Sequence, residues 1–308
     1  INGIPMKRLT LYAATCAVLL AGCSQPSYSQ VSAGGEEFSA IALPALPEKL
    51  DFAGEEVPLA YFDVREALQR ELLVTSYMHS GTFRTLLNMK RYFSVIEPIL
   101  ERNGIPDDFK YLCMAESALN PETVSPAGAA GLWQFMPKTG REYGLAVGPQ
   151  VDERYDIEKS TEAACAYLRD AYERFGSWTL AAAAYNAGNA GVGRRMEIQG
   201  TENYYDTFLP QETMRYLYRI LSLKIVGSNP EAYGFRLHED DYYGPLDDYR
   251  TVEVGGRDIK WPEVAGRYGT NYKMLRLLNP WMRDYVYDNK EGRILKVKVP
   301  GRNFRAAR

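Results

Sequence analysis

The sequence predicts a mainly α-helical protein: a helical body followed by a small strand–helix–helix–strand module. Three observations carry this. From about residue 63 to 227 apolar residues recur at helical spacing, with no stretch that alternates as a strand does. Gly104, Gly176, Gly188 and Gly227 stand just after expected helix ends, where a left-handed cap is wanted. Near the C-terminus, residues 251–254 and 294–299 alternate and two short helical segments lie between them. The 308 residues are 46% hydrophobic and 24% charged, a globular composition. Lys and Arg number 36 against 39 Asp and Glu, so no basic excess points to nucleic acid. Neither His79 nor His238 has a His or Cys at ligand spacing, so no metal site and no Ser-His-Asp triad is expected. No phosphate-binding glycine fingerprint follows a strand, so no nucleotide cofactor is expected either.

Taken in order, the chain opens as a secretory signal. Lys7 and Arg8 follow Met6, the expected start, and an apolar run of about a dozen residues leads to Leu20-Ala21-Gly22-Cys23. The run is too short to span a bilayer. Leu-Ala-Gly-Cys resembles the bacterial lipobox. The resemblance implies removal of residues 1–22 and lipidation of Cys23, with several acyl chains anchoring stably where one does not. Ser24 rather than Asp at the next position resembles outer-membrane sorting, so the expected location is the periplasmic face of the outer membrane. Residues 23–60, rich in Ser, Pro, Gly and Glu, read as a flexible tether, with a root-mean-square reach of roughly 30–35 Å.

The helical body spans 61–235, with helices expected at 63–80, 82–103, 107–119, 160–175, 178–187 and 211–226. Within 160–175, Ala163, Ala164, Tyr167, Leu168, Ala171, Tyr172 and Phe175 form one stripe. Cys113 and Cys165 both fall in helical patterns; an oxidising compartment permits a bridge, and two buried thiols fit as well. Residues 120–158 are mostly loop, and so long an irregular segment inside a helical body is usually functional.

The helix at 107–119 carries the chemistry. Phe109, Leu112, Cys113 and Leu119 share one face, and Glu116 lands near its middle. A carboxylate there is paired with an Arg inside the core, shielded, or deliberately desolvated. Desolvation and the negative end of the helix dipole would both raise its pKa, which is what a general acid for glycosidic cleavage needs. The loop that follows is small and glycine-rich over 125–131, then reads Leu132-Trp133-Gln134-Phe135-Met136-Pro137. Glycines let backbone approach a ligand, Gln134 can donate to and accept from an N-acetyl group, and Trp133 and Phe135 offer apolar faces. Tyr185 and Asn186 bring a hydroxyl and an amide to the end of the Ala-rich helix from Trp178.

Glu116-Ser117, Gly131 to Pro137 and Ala184-Tyr185-Asn186-Ala187-Gly188 resemble, in order and spacing, the three signature motifs of the lytic transglycosylases with a goose-type lysozyme-like domain. Val151 to Arg154 and Phe175 to Ala181 agree as well. The resemblance covers about residues 60–300. It implies a lysozyme-like catalytic fold, peptidoglycan glycan strands as the partner and no cofactor. The implied reaction is cleavage of the β-1,4 bond between N-acetylmuramic acid and N-acetylglucosamine without water. Glu116 is then the acid and next the base that activates the muramyl carbon-6 hydroxyl, leaving a 1,6-anhydromuramyl end. Ser117, Gln134, Met136, Tyr185 and Asn186 match positions that bind or orient the substrate. Glycosidases usually need two carboxylates, and one stands in a motif here, as expected if the attacking group belongs to the substrate. Asp152, Glu153 and Asp156 are candidate second acids, which keeps a hydrolytic muramidase open; a non-catalytic peptidoglycan-binding lipoprotein is the other alternative.

Residues 249–300 resemble a LysM glycan-binding domain. The second helix and the final strand fit; the first half, Val254-Gly255-Gly256-Arg257-Asp258-Ile259-Lys260-Trp261-Pro262, departs from the usual start. The polar stretch 238–248 before it suggests a separable module.

Overall fold

The computed structural model describes residues 42–306. The expected signal peptide, Cys23 and the first half of the tether lie outside the described residues. From Leu43 onward the chain forms a single unit.

Residues 43–60, expected as the end of the tether, are folded instead. Asp51–Phe52 (β1) and Glu55–Glu56 (β2) pair as a minimal antiparallel hairpin. Its two-residue turn, Ala53-Gly54, has positive φ at both positions, the geometry that matches strand twist. Phe52 is fully buried and meets Phe109 edge-on at 5.2 Å. The Glu55 carboxylate accepts from Ser177 Oγ and from the backbone N–H groups of Trp178 and Thr179. Strands of two residues leave no periodic trace, so only the isolated apolar side chains Phe52 and Val57 hinted at this.

The body is built from Phe62–Tyr77 (α1), His79–Arg102 (α2), Phe109–Ser117 (α3), Pro137–Glu142 (α4), Ile157–Phe175 (α5), Trp178–Ala187 (α6), Asn189–Gln199 (α7) and Gln211–Ser228 (α8). α1 lies along α8, α5 packs on α2 and α6, and α3 is wedged against α8. Ser177 and Asp156 cap α6 and α5 with their side chains, and Gly176 ends α5 in the left-handed conformation. Gly227 is a correction: it lies inside α8, not past its end. A Cβ there would press on the Tyr111 ring and the Met89 side chain, so its smallness serves close packing. The loop 120–158 contains α4, a short helix the sequence pattern did not show. Cys113 and Cys165 are two buried free thiols, not a bridge. Burial pushes Cys113 well above the ordinary thiol range and Cys165 up to about 12.

The C-terminal module has the expected order, with an extra strand pair. Tyr249–Val254 (β3) pairs antiparallel with Leu295–Pro300 (β6), Asp258–Lys260 (β4) with Val286–Asp288 (β5), and Trp261–Arg267 (α9) and Tyr272–Leu278 (α10) pack between. Buried Asn279 donates to the carbonyls of Leu275 and Lys298 and accepts from the Lys298 N–H, tying α10 to β6. The module is docked, not hung on a linker. Val151 of the body sits in the module's core with Trp261, Trp281 and Met282. The Asp152 N–H donates to Trp281 O at 2.9 Å, and Arg283 N–H to Gln150 O at 3.0 Å. The Arg283 guanidinium lies 3.7 Å above the Tyr155 ring and pairs with Glu122 at 2.9 Å.

Candidate active site

α3 ends in a sharp turn. Ala118 and Leu119 both adopt left-handed backbone, φ 52° and 55°, at about 1–2 kcal/mol each for an L residue. The turn draws Leu119 into the core and stops the helix at Ser117, two residues before its expected end. Glu116 is thereby left on the last turn, half-buried, on a face whose other members Phe109, Leu112 and Cys113 are fully buried.

From α8 the Tyr216 phenol donates to Glu116 Oε1. Burial is the chief cause that pushes the Glu116 carboxyl up to about 7. The Tyr216 hydrogen bond and the Arg219 charge pull it down, and the Glu212 charge adds to the rise. No Lys or Arg forms an ion pair with Glu116 among the described residues, so the paired-core alternative does not hold. Burial and the neighbouring carboxylate push Tyr216 well above its ordinary value, so it stays a donor at working pH. Tyr216 escaped the sequence reading. Its signal was a phenol in the apolar stripe of α8, which needs a polar partner when buried; the carboxyl on α3 had the matching need.

The loop after α3 is a frame built for close approach. The Gly131 N–H donates to Thr123 O and the Ala130 N–H to Phe135 O, while Ser125 Oγ accepts from the Ala129 N–H. Gly131 has φ 81°, and a Cβ on it would collide with the Arg154 carbonyl. Gln134 also has positive φ, 48°. Its amide nitrogen donates to Thr123 O and Gly131 O, so its amide oxygen is the end left for a ligand. Trp133 and Phe135 do not offer faces to a ligand. Both are buried, and Trp133 Nε1 donates to Thr161 Oγ1 at 2.8 Å. Met136, 42% exposed, is the side chain that points out.

Tyr185 and Asn186 act on this frame from α6. The Tyr185 hydroxyl donates to Trp133 O at 2.8 Å, and its ring lies among those of Trp133, Phe135 and Tyr167. Asn186 Oδ1 accepts from Thr213 Oγ1, linking α6 to α8. Ser117 is buried, and its hydroxyl donates back to Cys113 O. Ser117, Tyr185 and Gln134 thus have their donors engaged within the protein, and the Tyr185 phenol lies near enough to Glu116 to feel its charge.

The candidate second acids are engaged as well. Asp152 and Arg154 form a buried ion pair at 2.7 Å, and Arg154 Nη1 donates to Gly128 O and Phe135 O, clamping the loop. Glu153 pairs with Lys159 and accepts from the Ala146 N–H. Asp156 caps α5. The other carboxylate felt by Glu116 is Glu212, exposed in the first turn of α8.

A helical body that keeps one carboxyl near neutral pKa beside a clamped glycine-rich loop is of the lysozyme-like kind. The family model for the transglycosylase SLT domain matches residues 94–208, and that for the soluble lytic transglycosylase C-terminal LysM-like domain matches 250–303. The chain therefore contains an SLT domain followed by a LysM-like domain. Tyr216 lies beyond the matched SLT segment. Among curated proteins, the chain is 33% identical over 236 residues to membrane-bound lytic murein transglycosylase D of Escherichia coli (strain K12), covering 74% of this chain and 50% of that one. It is 37% identical over 73 residues to a transglycosylase of Enterobacteria phage PRD1, 24% of this chain and 25% of that one. The chain spans about half the length of the first of these relatives. The solved 70 kDa soluble lytic transglycosylase of Escherichia coli aligns over 56% of this chain and 27% of its own, at 22% identity and TM-score 0.37.

Proposed function

We propose that the chain is a peptidoglycan lytic transglycosylase that cleaves the N-acetylmuramyl-β-1,4-N-acetylglucosamine bond and leaves a 1,6-anhydromuramyl end. The observation that carries this is Glu116: a carboxyl pushed up to about 7 by burial, held by Tyr216, at the edge of the clamped loop. In the first half-reaction Glu116 gives its proton to the glycosidic oxygen as the bond from muramyl C1 breaks. The carboxylate then takes the proton of the muramyl C6 hydroxyl as that oxygen bonds to C1, which restores the acid. Tyr216 donates to the carboxylate between the two steps, when charge develops there.

One titratable group in both roles suits a pKa near neutrality. The engagement of Asp152, Glu153 and Asp156 in structural contacts supports the route without a second carboxylate. Hydrolysis would need a base for water, and Glu212 is the residue to examine. Mass spectrometry of the products from purified sacculi decides. Anhydro ends, lighter by one water than reducing ends, are expected, with Glu212→Gln still producing them. Reducing ends would replace this reading by muramidase activity, and no new ends by a binding role.

The SLT and LysM-like domains support peptidoglycan as the partner. The name of the membrane-bound relative and the lipobox at Cys23 support an envelope location with a lipid anchor at the outer membrane. No helix among the described residues is long and apolar enough to cross a membrane.

A further inference from the structure

Two adjoining cavities run from the end of α3 to the LysM-like module. One, of about 380 Å³, is lined by Ser117, Asn120 and Pro121 and by Arg84, Asn88 and Tyr92 of α2. The other, of about 560 Å³, shares Tyr92, Asn120 and Pro121 and continues to Arg91 and to Lys273 and Arg276 of α10. Together they form a groove with α2 as one wall and α10 of the docked module as the other. Its volume is in the range of specific ligand sites.

The groove is cationic in a chain whose net charge is −3. Arg84, Asn88 and Arg91 fall on one face of α2, with the two arginines about 10 Å apart along the axis. Lys273 and Arg276 share a face of α10. Arg276 pairs with Glu122, the one carboxylate in the lining. Arg84, Arg91 and Lys273 have no carboxylate partner among the described residues; Arg91 donates to a backbone carbonyl, Gly244 O. Like charges facing one another across a walled groove repel until an anion enters, and low-dielectric walls strengthen its binding.

From this we infer that the groove binds the acidic stem peptide carried by the glycan strand, with Arg84, Arg91 and Lys273 meeting its carboxylates. The inference rests on the transglycosylase reading for the source of the ligand. One end of the groove is lined by Ser117, the chain neighbour of Glu116, which puts a branch on the sugar being cut within reach of it. In peptidoglycan the branch on the muramyl residue is a peptide with several carboxylates. The second wall belongs to the module, so the module would act in substrate choice through α10.

The test compares glycan strands bearing peptides with the same strands stripped by an amidase, using the full chain. For wild type, kcat/KM should favour peptide-bearing strands. The double variant Arg84→Glu/Lys273→Glu should lower that ratio about tenfold or more, the order expected when close charge pairs turn repulsive. The same reversal at exposed Lys49 should leave the ratio where it was. A wild-type ratio near one, or a ratio unmoved by the double reversal, overturns the inference. Calorimetric titration with the free tetrapeptide Ala-Glu-diaminopimelate-Ala provides a readout without turnover: binding by wild type that the double reversal weakens about tenfold supports the groove, and no binding by wild type refutes it. If neither strand yields anhydro ends, the catalytic reading fails by itself, and the titration still decides on the groove.

Discussion

Replacing Glu116 by Gln should abolish turnover and, above neutral pH, stabilise the fold. The carboxyl is pushed from an ordinary 4.5 to about 7, with burial the main cause. The folded state therefore holds the proton more tightly than the unfolded one. The associated stability is fully present below pH 4.5 and is lost as pH rises through 7. At about 1.36 kcal/mol per pH unit, the loss approaches about 3 kcal/mol in wild type above pH 8. Gln keeps the volume and an acceptor for Tyr216 but does not titrate. The two proteins should be of similar stability near pH 4.5, with the variant ahead by up to about 3 kcal/mol at pH 8. Urea unfolding at both pH values measures the gap, and turnover on sacculi should fall by at least about 10²–10⁴-fold. A carboxylate serving the core through an ion pair behaves in the opposite way, losing about 3–5 kcal/mol when its partner is left alone. An active Glu116→Gln protein destabilised at every pH would refute the reasoning.

Three further outcomes are expected. Tyr216→Phe removes a hydrogen bond that pulls the Glu116 pKa down, so the alkaline limb of the pH–rate profile should move up by about one pH unit or more; an unmoved limb would detach Tyr216 from the acid. Gly131→Ala places a Cβ against the Arg154 carbonyl at positive φ and should displace the loop, with turnover falling more than about tenfold while the far-ultraviolet circular dichroism stays helical. Truncation at residue 248 leaves Val151 without its core and removes the partners of Gln150, Asp152 and Glu122. The body should lose at least about 3 kcal/mol, read as a lower melting temperature; a body as stable as the full chain would mean that the docking contributes little.

Helices with long apolar stripes were legible because a period repeated over three or more turns survives local noise: α5 and α6 begin and end close to where the pattern placed them. Glu116 was legible as a polar fault in such a stripe. What was hidden depends on contacts far apart in sequence. Tyr216 is 100 residues from the carboxyl it hydrogen-bonds. Arg154 looked like a neighbour of candidate acids, yet its role is set by the carbonyls of Gly128 and Phe135. Trp133 and Phe135 read as ligand faces because a loop sequence does not say which side of each residue the core takes. The body–module contact was masked by the polar stretch before it, whose composition does suit a linker. The contact is made elsewhere, through backbone groups, the apolar residues Val151 and Ala146, and the Arg283 guanidinium on Tyr155 and Glu122.

The hairpin at 51–56 sets a practical limit on how short the chain can be cut. Its Glu55 takes the backbone donors at the start of α6, the helix that carries Tyr185 and Asn186 at its other end. An expression boundary at residue 61, which the helical pattern invites, would open those donors to water and fray α6 from its first turn. Loss of such a cap costs about 1 kcal/mol, small against the whole fold. The motion it releases, though, would run down ten residues of helix to the hydroxyl that holds Trp133 in place. A fragment cut there would pass tests of folding and still turn over slowly, and the cause would lie 61 residues before Glu116, in a segment whose composition reads as a tether.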